Sequence, residues 1–277
     1  PSLAIASGPP SGTITNKRTV SYKGTADDQT GNVISVEASI DGGAYSKDGV
    51  TCTGCPARSI SWTYSPTAPL ADGTHTISIR SVDVAGHTSP VAALQITVDT
   101  VPPKATQLSA AGGNASLNAT FSKPLLCSTV QSGDFSVLVG NRYGMVTGAT
   151  CEGVTATSVA ITLGAAPRGG DQVTLSMPNR YANGATDQAG NALAGSPSVS
   201  VVASNVAPSL DVTGGTASGA LTNNPLPVYK GSALDPDGNV SSVQASVDGG
   251  QFSTAGTSCS ACVGNGSAAL AATVNWS

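Results

Sequence analysis

Charge is scarce in this sequence of 277 residues: Asp, Glu, Lys and Arg together make up 10% of it, against roughly a quarter in ordinary globular chains. The 12 Lys and Arg do not cluster, and against 16 Asp and Glu they leave a net charge of −4. Nucleic acid is therefore not an expected partner, because phosphate binding needs clustered cations. Aromatic residues are 4% of the chain, little material for a platform on which sugar rings could stack. No apolar run approaches the eighteen or so residues that would cross a bilayer, so no membrane insertion is expected of this segment. The chain opens on Pro1 with neither a basic n-region nor an apolar h-region, and it is expected to be mature or excised material from something longer. No serine sits in a G-x-S-x-G frame. His75 and His87 are the only histidines, and the expectation is that this is not an enzyme.

What the chain has in abundance is turn material and β-formers. Its 33 glycines and 17 prolines punctuate short apolar runs rich in Val and Thr, a composition that favours an all-β fold over helix or disorder. Residues 1–55 recur without a gap at 208–262 with roughly half the positions identical. Tyr22-Lys23-Gly24 returns as Tyr229-Lys230-Gly231, Asp41-Gly42-Gly43 as Asp248-Gly249-Gly250, and the Cys-x-x-Cys of Cys52 and Cys55 as Cys259 and Cys262. A different segment of about a hundred residues lies between the copies, so two kinds of unit alternate, as in an array where length and spacing matter.

Two proline-containing junctions, Asp99-Thr100-Val101-Pro102-Pro103 and Asn205-Val206-Ala207-Pro208, cut the chain into 1–100, 101–206 and 207–277. Proline fixes φ and blocks continuation of a strand, so these are short, stiff joints. In the first unit Ile34, Val36, Ala38 and Ile40 alternate toward one face, and Asp41-Gly42-Gly43 turns a hairpin. Ile60, Trp62 and Tyr64 alternate again, followed by His75, Ile77 and Ile79 and then Leu94, Ile96 and Val98. The second unit alternates through Leu117 to Phe121, Phe135 to Val139, Val159 to Leu163 and Val173 to Met177. Short strands joined by Gly and Asp turns predict sandwiches. The third unit is expected to be an incomplete copy of the first, reaching Trp276 where the first has Trp62.

The cysteines Cys52, Cys55, Cys127, Cys151, Cys259 and Cys262 fall in pairs within units. Zinc would need a second Cys or His pair near each Cys-x-x-Cys, and a redox motif would open a helix after a strand. The expectation is a disulfide framework and an oxidising, extracytoplasmic compartment. Each Cys-x-x-Cys bridge would contribute about 2 kcal/mol, and Cys127 to Cys151 about 3.5 kcal/mol, on chain entropy.

Residues 66–98, with Leu70-Ala71-Asp72-Gly73-Thr74-His75 and Asp83-Val84-Ala85-Gly86-His87, resemble the bacterial Ig-like domains of large secreted surface proteins. Asp99-Thr100-Val101-Pro102-Pro103 is similar to the joint between such domains. The middle unit, through Phe121-Ser122-Lys123-Pro124 and Thr186-Asp187-Gln188-Ala189-Gly190-Asn191, resembles the Ig-like repeats of adhesins and S-layer-type proteins. The resemblance implies tandem immunoglobulin-like β-sandwich domains in an extended array. It implies export from a bacterium and an extracellular or cell-surface location, in a stalk, fibre or adhesin segment. Expected partners are other Ig-like domains of the same chain or of neighbouring copies, and a cell-surface or glycan ligand. Lys123, His87 and the cysteines depart from the family pattern.

Carboxylates gather in turns: Asp27 and Asp28 before Gly31-Asn32, Asp235 and Asp237 before Gly238-Asn239, Asp83 before Gly86, and Asp187 before Gly190-Asn191. Asp27, Asp28, Asp235 and Asp237 are candidate calcium ligands, since Ca²⁺ takes closely spaced carboxylate and carbonyl oxygens. The other reading is that Asp, Gly and Asn are there to make tight turns. No EF-hand spacing is present, and Asp27 becomes Leu234 in the repeat. Lys23 and Lys230 share one strand position, which suggests a Lys–Asn isopeptide crosslink, yet Glu37 becomes Gln244 in the repeat and exposed strand lysines are the expectation. Trp62 and Trp276 are expected to fill cores.

Overall fold

In the computed structural model, residues 1–178, 184–195, 198–221, 223, 227–235, 237–238, 240–260 and 273–276 are described. They contain β-strands and two single-turn 3₁₀ segments, and no α-helix among the described residues. The chain divides into two compact units, one of Pro1–Pro103 with Thr186–Leu193, the other of Lys104–Ala185 with Ala194–Ser277.

In the first unit the strands are β1 (Ser2–Ser7), β2 (Thr13–Thr15), β3 (Tyr22–Asp27), β4 (Val33–Ile40), β5 (Val50–Thr53), β6 (Ser59–Tyr64), β7 (Gly73–Asp83) and β8 (Ala92–Val98). They form two four-stranded sheets, β1-β3-β6-β5 and β2-β8-β7-β4. Every pairing is antiparallel except β2 with β8. Alternation puts Tyr22, Trp62 and Tyr64 of one sheet against Val36, Ile77, Ile79 and Ile96 of the other in one buried cluster. Burial of each such side chain is worth about 1.5–3 kcal/mol. Trp62 is 1% exposed, and its indole N–H donates to the Thr25 carbonyl at 3.1 Å. The sheet closes over it because Gly24 lies directly opposite: a Cβ there would stand 1.9 Å from the Ala4 carbonyl oxygen and 2.6 Å from the Trp62 ring.

One alternation is out of phase with its prediction. Ile34 is exposed, while Val33 and Ser35 are buried. A bulge between Val33 and Ser35 in the β4–β7 register sets two residues against one and rotates the strand start by one face. Beyond it Val36 and Ala38 point inward as expected. The hairpin turn after β4 has Asp41 at φ 53° and Gly42 at φ 74°, with the Gly43 amide bonded to the Ile40 carbonyl at 2.9 Å. Two left-handed residues in a row match the twist of the flanking strands.

In the second unit β9 (Ala105–Ser109), β10 (Ser116–Leu126), β13 (Val146–Thr150) and β14 (Thr155–Leu163) form the sheet β13-β14-β10-β9. Its partner sheet is β12-β11-β15-β16, from β11 (Ser136–Val139), β12 (Arg142–Gly144), β15 (Gln172–Ser176) and β16 (Val199–Val202). Leu117, Ala119, Val159, Ile161, Val173 and Leu175 are fully buried between them. The same unit holds β17 (Ser209–Gly214), β18 (Lys230–Leu234), β19 (Cys259–Ser260) and β20 (Thr273–Trp276), ordered β17-β18-β20-β19.

This last sheet repeats β1-β3-β6-β5 in detail. Ser209 faces Leu234 as Ser2 faces Asp27, the bulge at Val212/Gly214 repeats that at Ile5/Ser7, and Gly231 faces Trp276 as Gly24 faces Trp62. Asp248 repeats the positive φ of Asp41 at 52°. One difference is large: Tyr22 is 0% exposed and its counterpart Tyr229 is 42% exposed. The side chain of Trp276 lies outside the described residues.

Candidate functional site

The residues singled out by the sequence converge on the ends of the sandwiches. Asp28 is buried, and its Oδ1 accepts from the Thr30 amide at 3.0 Å and the Thr30 hydroxyl at 3.1 Å. These bonds, the Thr30 amide foremost, hold its carboxyl below the ordinary 3.8 against the burial that pushes it up. Asp27 is exposed on the edge of the same turn. In the repeat Asp235 Oδ1 accepts from the Asp237 amide at 3.2 Å. Asp187 does likewise for Ala189 at 3.0 Å and Asn191 at 2.9 Å. Among the described residues no three His, Cys, Asp or Glu side chains gather closely enough to hold a metal ion.

Two of these turns are hydrogen-bonded, each within its own compact unit, to residues far away in sequence. In the first unit the Asn16 amide donates to the Ala189 carbonyl and its Nδ2 to the Gly190 carbonyl, each at 2.9 Å, while Asn191 Nδ2 donates to the Asp99 carbonyl at 2.8 Å. In the second unit the Val206 amide donates to Asp237 Oδ2 at 2.7 Å, and the Gly169 amide to the Asp237 carbonyl at 3.3 Å. Glycine is required there: a Cβ on Gly112 or Gly169 would stand 2.0 or 2.6 Å from Asp237 Oδ2. The sequence reading missed Asn16 and this role of Asp237. The available signal was Thr15-Asn16 returning as Thr222-Asn223 while Lys17 and Arg18 do not return.

Asp72, in the turn before β7, fixes the start of the first junction. Its carboxylate accepts from the Thr100 hydroxyl at 2.9 Å, the Thr100 amide at 3.3 Å and Arg18 at 2.8 Å. The neighbouring motif residues have equally local tasks. Leu70 is buried, Gly73 has φ 137°, and each ring nitrogen of His75 faces an acceptor, Asp41 Oδ2 at 2.7 Å and the Ala71 carbonyl at 2.9 Å. Asp41 first, then the Ala71 carbonyl, raises the His75 pKa above 6.5, and His75 with the Thr76 amide lowers that of Asp41. Asp83 caps the turn to His87 through the Ala85 and His87 amides at 2.9 and 2.8 Å.

Cys52 is bonded to Cys55 and Cys127 to Cys151, with Cα–Cα distances of 5.9 and 5.2 Å. Cys259 is also disulfide-bonded, and Cys262 lies outside the described residues. Lys23 and Lys230 are exposed on their strands. No helix among the described residues is long and apolar enough to cross a membrane.

Two facing four-stranded sheets, β1-β3-β6-β5 and β2-β8-β7-β4, define an immunoglobulin-like sandwich. Residues 5–100 match the family described as bacterial Ig-like domain. No curated protein matches the chain. Among solved structures, the N-terminal part of the bacterial S-layer protein SbsC is 15% identical over 49% of this chain, with a TM-score of 0.34. This chain spans 41% of that structure. The D00-D0 domain of intimin is 17% identical, covering 73% of this chain and 98% of its own, with a TM-score of 0.32. Fibronectin(III)-like modules of Clostridium thermocellum CbhA are 20% identical over 35% of this chain and 96% of theirs, with a TM-score of 0.26.

Proposed function

We propose that this chain is a segment of an alternating immunoglobulin-like array that serves as a stalk, fibre or adhesin segment of an exported bacterial surface protein, and that it is not an enzyme. The observation that carries this reading is the pair of joints. Each has an Asp-Gly-Asn turn hydrogen-bonded to sequence-distant residues of its own compact unit, at Asn16 and Asp99 in one and at Val206 and Gly169 in the other. Bonds to backbone at a proline-containing joint restrict bending, which is the property a spacer needs and a reactive pocket does not. The match of residues 5–100 to a bacterial Ig-like family supports the bacterial surface assignment. Disulfides within units support a compartment that is oxidising.

A second reading rests on the exposure of Tyr229, Leu210 and Val212. Their face would be covered by strands with the pattern of β7 and β8. In the array these come from continuing chain; in a self-assembling filament another copy donates them by strand addition. The intact mass of the native protein, with and without reductant, separates the two. A mass far above 27.1 kDa that persists in denaturant and reductant is expected for the array. A mass of 27.1 kDa under those conditions would overturn it in favour of strand sharing.

A further inference from the structure

The pattern Asp-x-x-Gly-Asn occurs three times, at residues 28–32, 187–191 and 235–239. In all three the aspartate accepts from the amide two residues on, at 3.0, 3.0 and 3.2 Å. The second and third are the turns bonded to sequence-distant residues of their own units. The first, Asp28 to Asn32, is the counterpart of the third in the internal repeat, with Asp28 at the position of Asp235 and Thr30 at that of Asp237. Gly31 and Gly238 serve both copies alike, since a Cβ would stand 2.9 Å from Asp28 Oδ2 and 2.7 Å from Asp235 Oδ2. Yet Gln29, Thr30 and Asn32 are exposed. Beside them, through the Val84 amide bonded to the Asn32 carbonyl at 3.1 Å, lies the turn of Asp83 to His87, with Val84 60% exposed. Asp28 Oδ2 is a buried acceptor with no hydrogen-bond partner, beneath this exposed turn.

From this we infer that the pole of the first sandwich made by residues 28–32 and 83–87 is a docking surface for the closing end of a sandwich of the second kind, a further copy of the domain at 104–206. The inference rests on the array reading. The occupant is specified by the repeat: what the turn of Asp235 and Asp237 meets is the end bearing Gly112, Gly169 and the Asn205-Val206 junction. That end presents backbone amides and glycines that admit a protruding turn, with the charges of Arg168 and Asp171 on either side of Gly169. Thr30 in place of Asp237 gives this joint a hydroxyl where the other has a carboxylate, so it is the weaker of the two.

The test is a chain with residues 104–207 duplicated ahead of Pro1, compared with the 277-residue chain by amide hydrogen exchange. Exchange across 28–32 and 83–87 is expected to slow at least about tenfold in the extended chain, with core amides of β7 unchanged. Gly169→Ala in the added copy alone places a Cβ in the contact and is expected to return those rates to their former values. Thr30→Asp in the extended chain is expected to slow them further. Equal rates at both turns in the two chains, with neither variant moving them, would overturn the docking surface. That outcome is separate from the array itself, which stands or falls on the mass of the native protein.

Discussion

His75 shows how much one residue of a family motif can be made to do by its neighbours. Both ring nitrogens face oxygens, one a carboxylate and one a carbonyl. A neutral imidazole carries one N–H and can satisfy only one of them as donor, whereas imidazolium satisfies both. The pKa of His75 is raised above 6.5, so its stabilisation is complete below about pH 6.5 and is lost as pH rises through the folded value. Asp41 is lowered from 3.8, so its contribution is complete above about pH 3.8 and is lost as pH falls through its folded value. The unfolding midpoint of the first sandwich is therefore expected to be highest between these limits and to decline as pH rises above about 6.5. His75→Asn should flatten that decline. The check is thermal unfolding of the full chain across pH with and without the substitution; parallel curves for the two proteins would show that His75 does not carry the dependence.

At the scale of elements, the bridge from Cys127 to Cys151 ties the 3₁₀ turn at Cys127–Thr129, just after β10, to the loop that follows β13, a separation of 24 residues. Closing a loop of that length is worth about 3.5 kcal/mol, against about 2 kcal/mol for Cys52–Cys55. Replacing both Cys127 and Cys151 with Ser is expected to lower the urea midpoint of the second sandwich by roughly 1–3 M, taking a slope of about 1–3 kcal/mol per M. The same change at Cys52 and Cys55 should cost less. Two equal shifts, or none, would contradict the loop-length argument. Strands were the legible part of this sequence, because Leu117, Ala119, Val159 and Ile161 alternate strictly and are buried as alternation requires. Ile34 was not legible. A bulge leaves no mark in hydrophobic pattern, and one extra residue sends the strand start to the opposite face. The turns were legible as turns from Asp, Gly and Asn, yet what they touch was not, because the contacts join residues such as Asn16 and Gly190 that are 174 positions apart.

For the whole molecule the question is whether the joints hold, and Asp237 is where this can be measured. It is 5% exposed; one carboxylate oxygen accepts from the Val206 amide, and the other is buried without a partner. A buried carboxylate with one of its oxygens unsatisfied is costly by itself, so the turn is kept for position more than for stability. Hydrogen bonds to a charged group are worth about 1.5–3 kcal/mol, which converts to roughly 10- to 150-fold in an opening equilibrium. Asp237→Ala is therefore expected to speed amide exchange at Val206 and Gly169 by at least about tenfold, while amides of Val173 and Leu175 keep their rates. Asp237→Asn, which retains an acceptor of similar shape, should recover part of the protection. Global stability is expected to change little, since removing the carboxylate also removes its desolvation cost. A variant that leaves Val206 exchange untouched would mean that proline and short linker length alone set the joint. The proposed array would then bend at such a joint as freely as its prolines allow, and a stiff spacer could not be built from this unit.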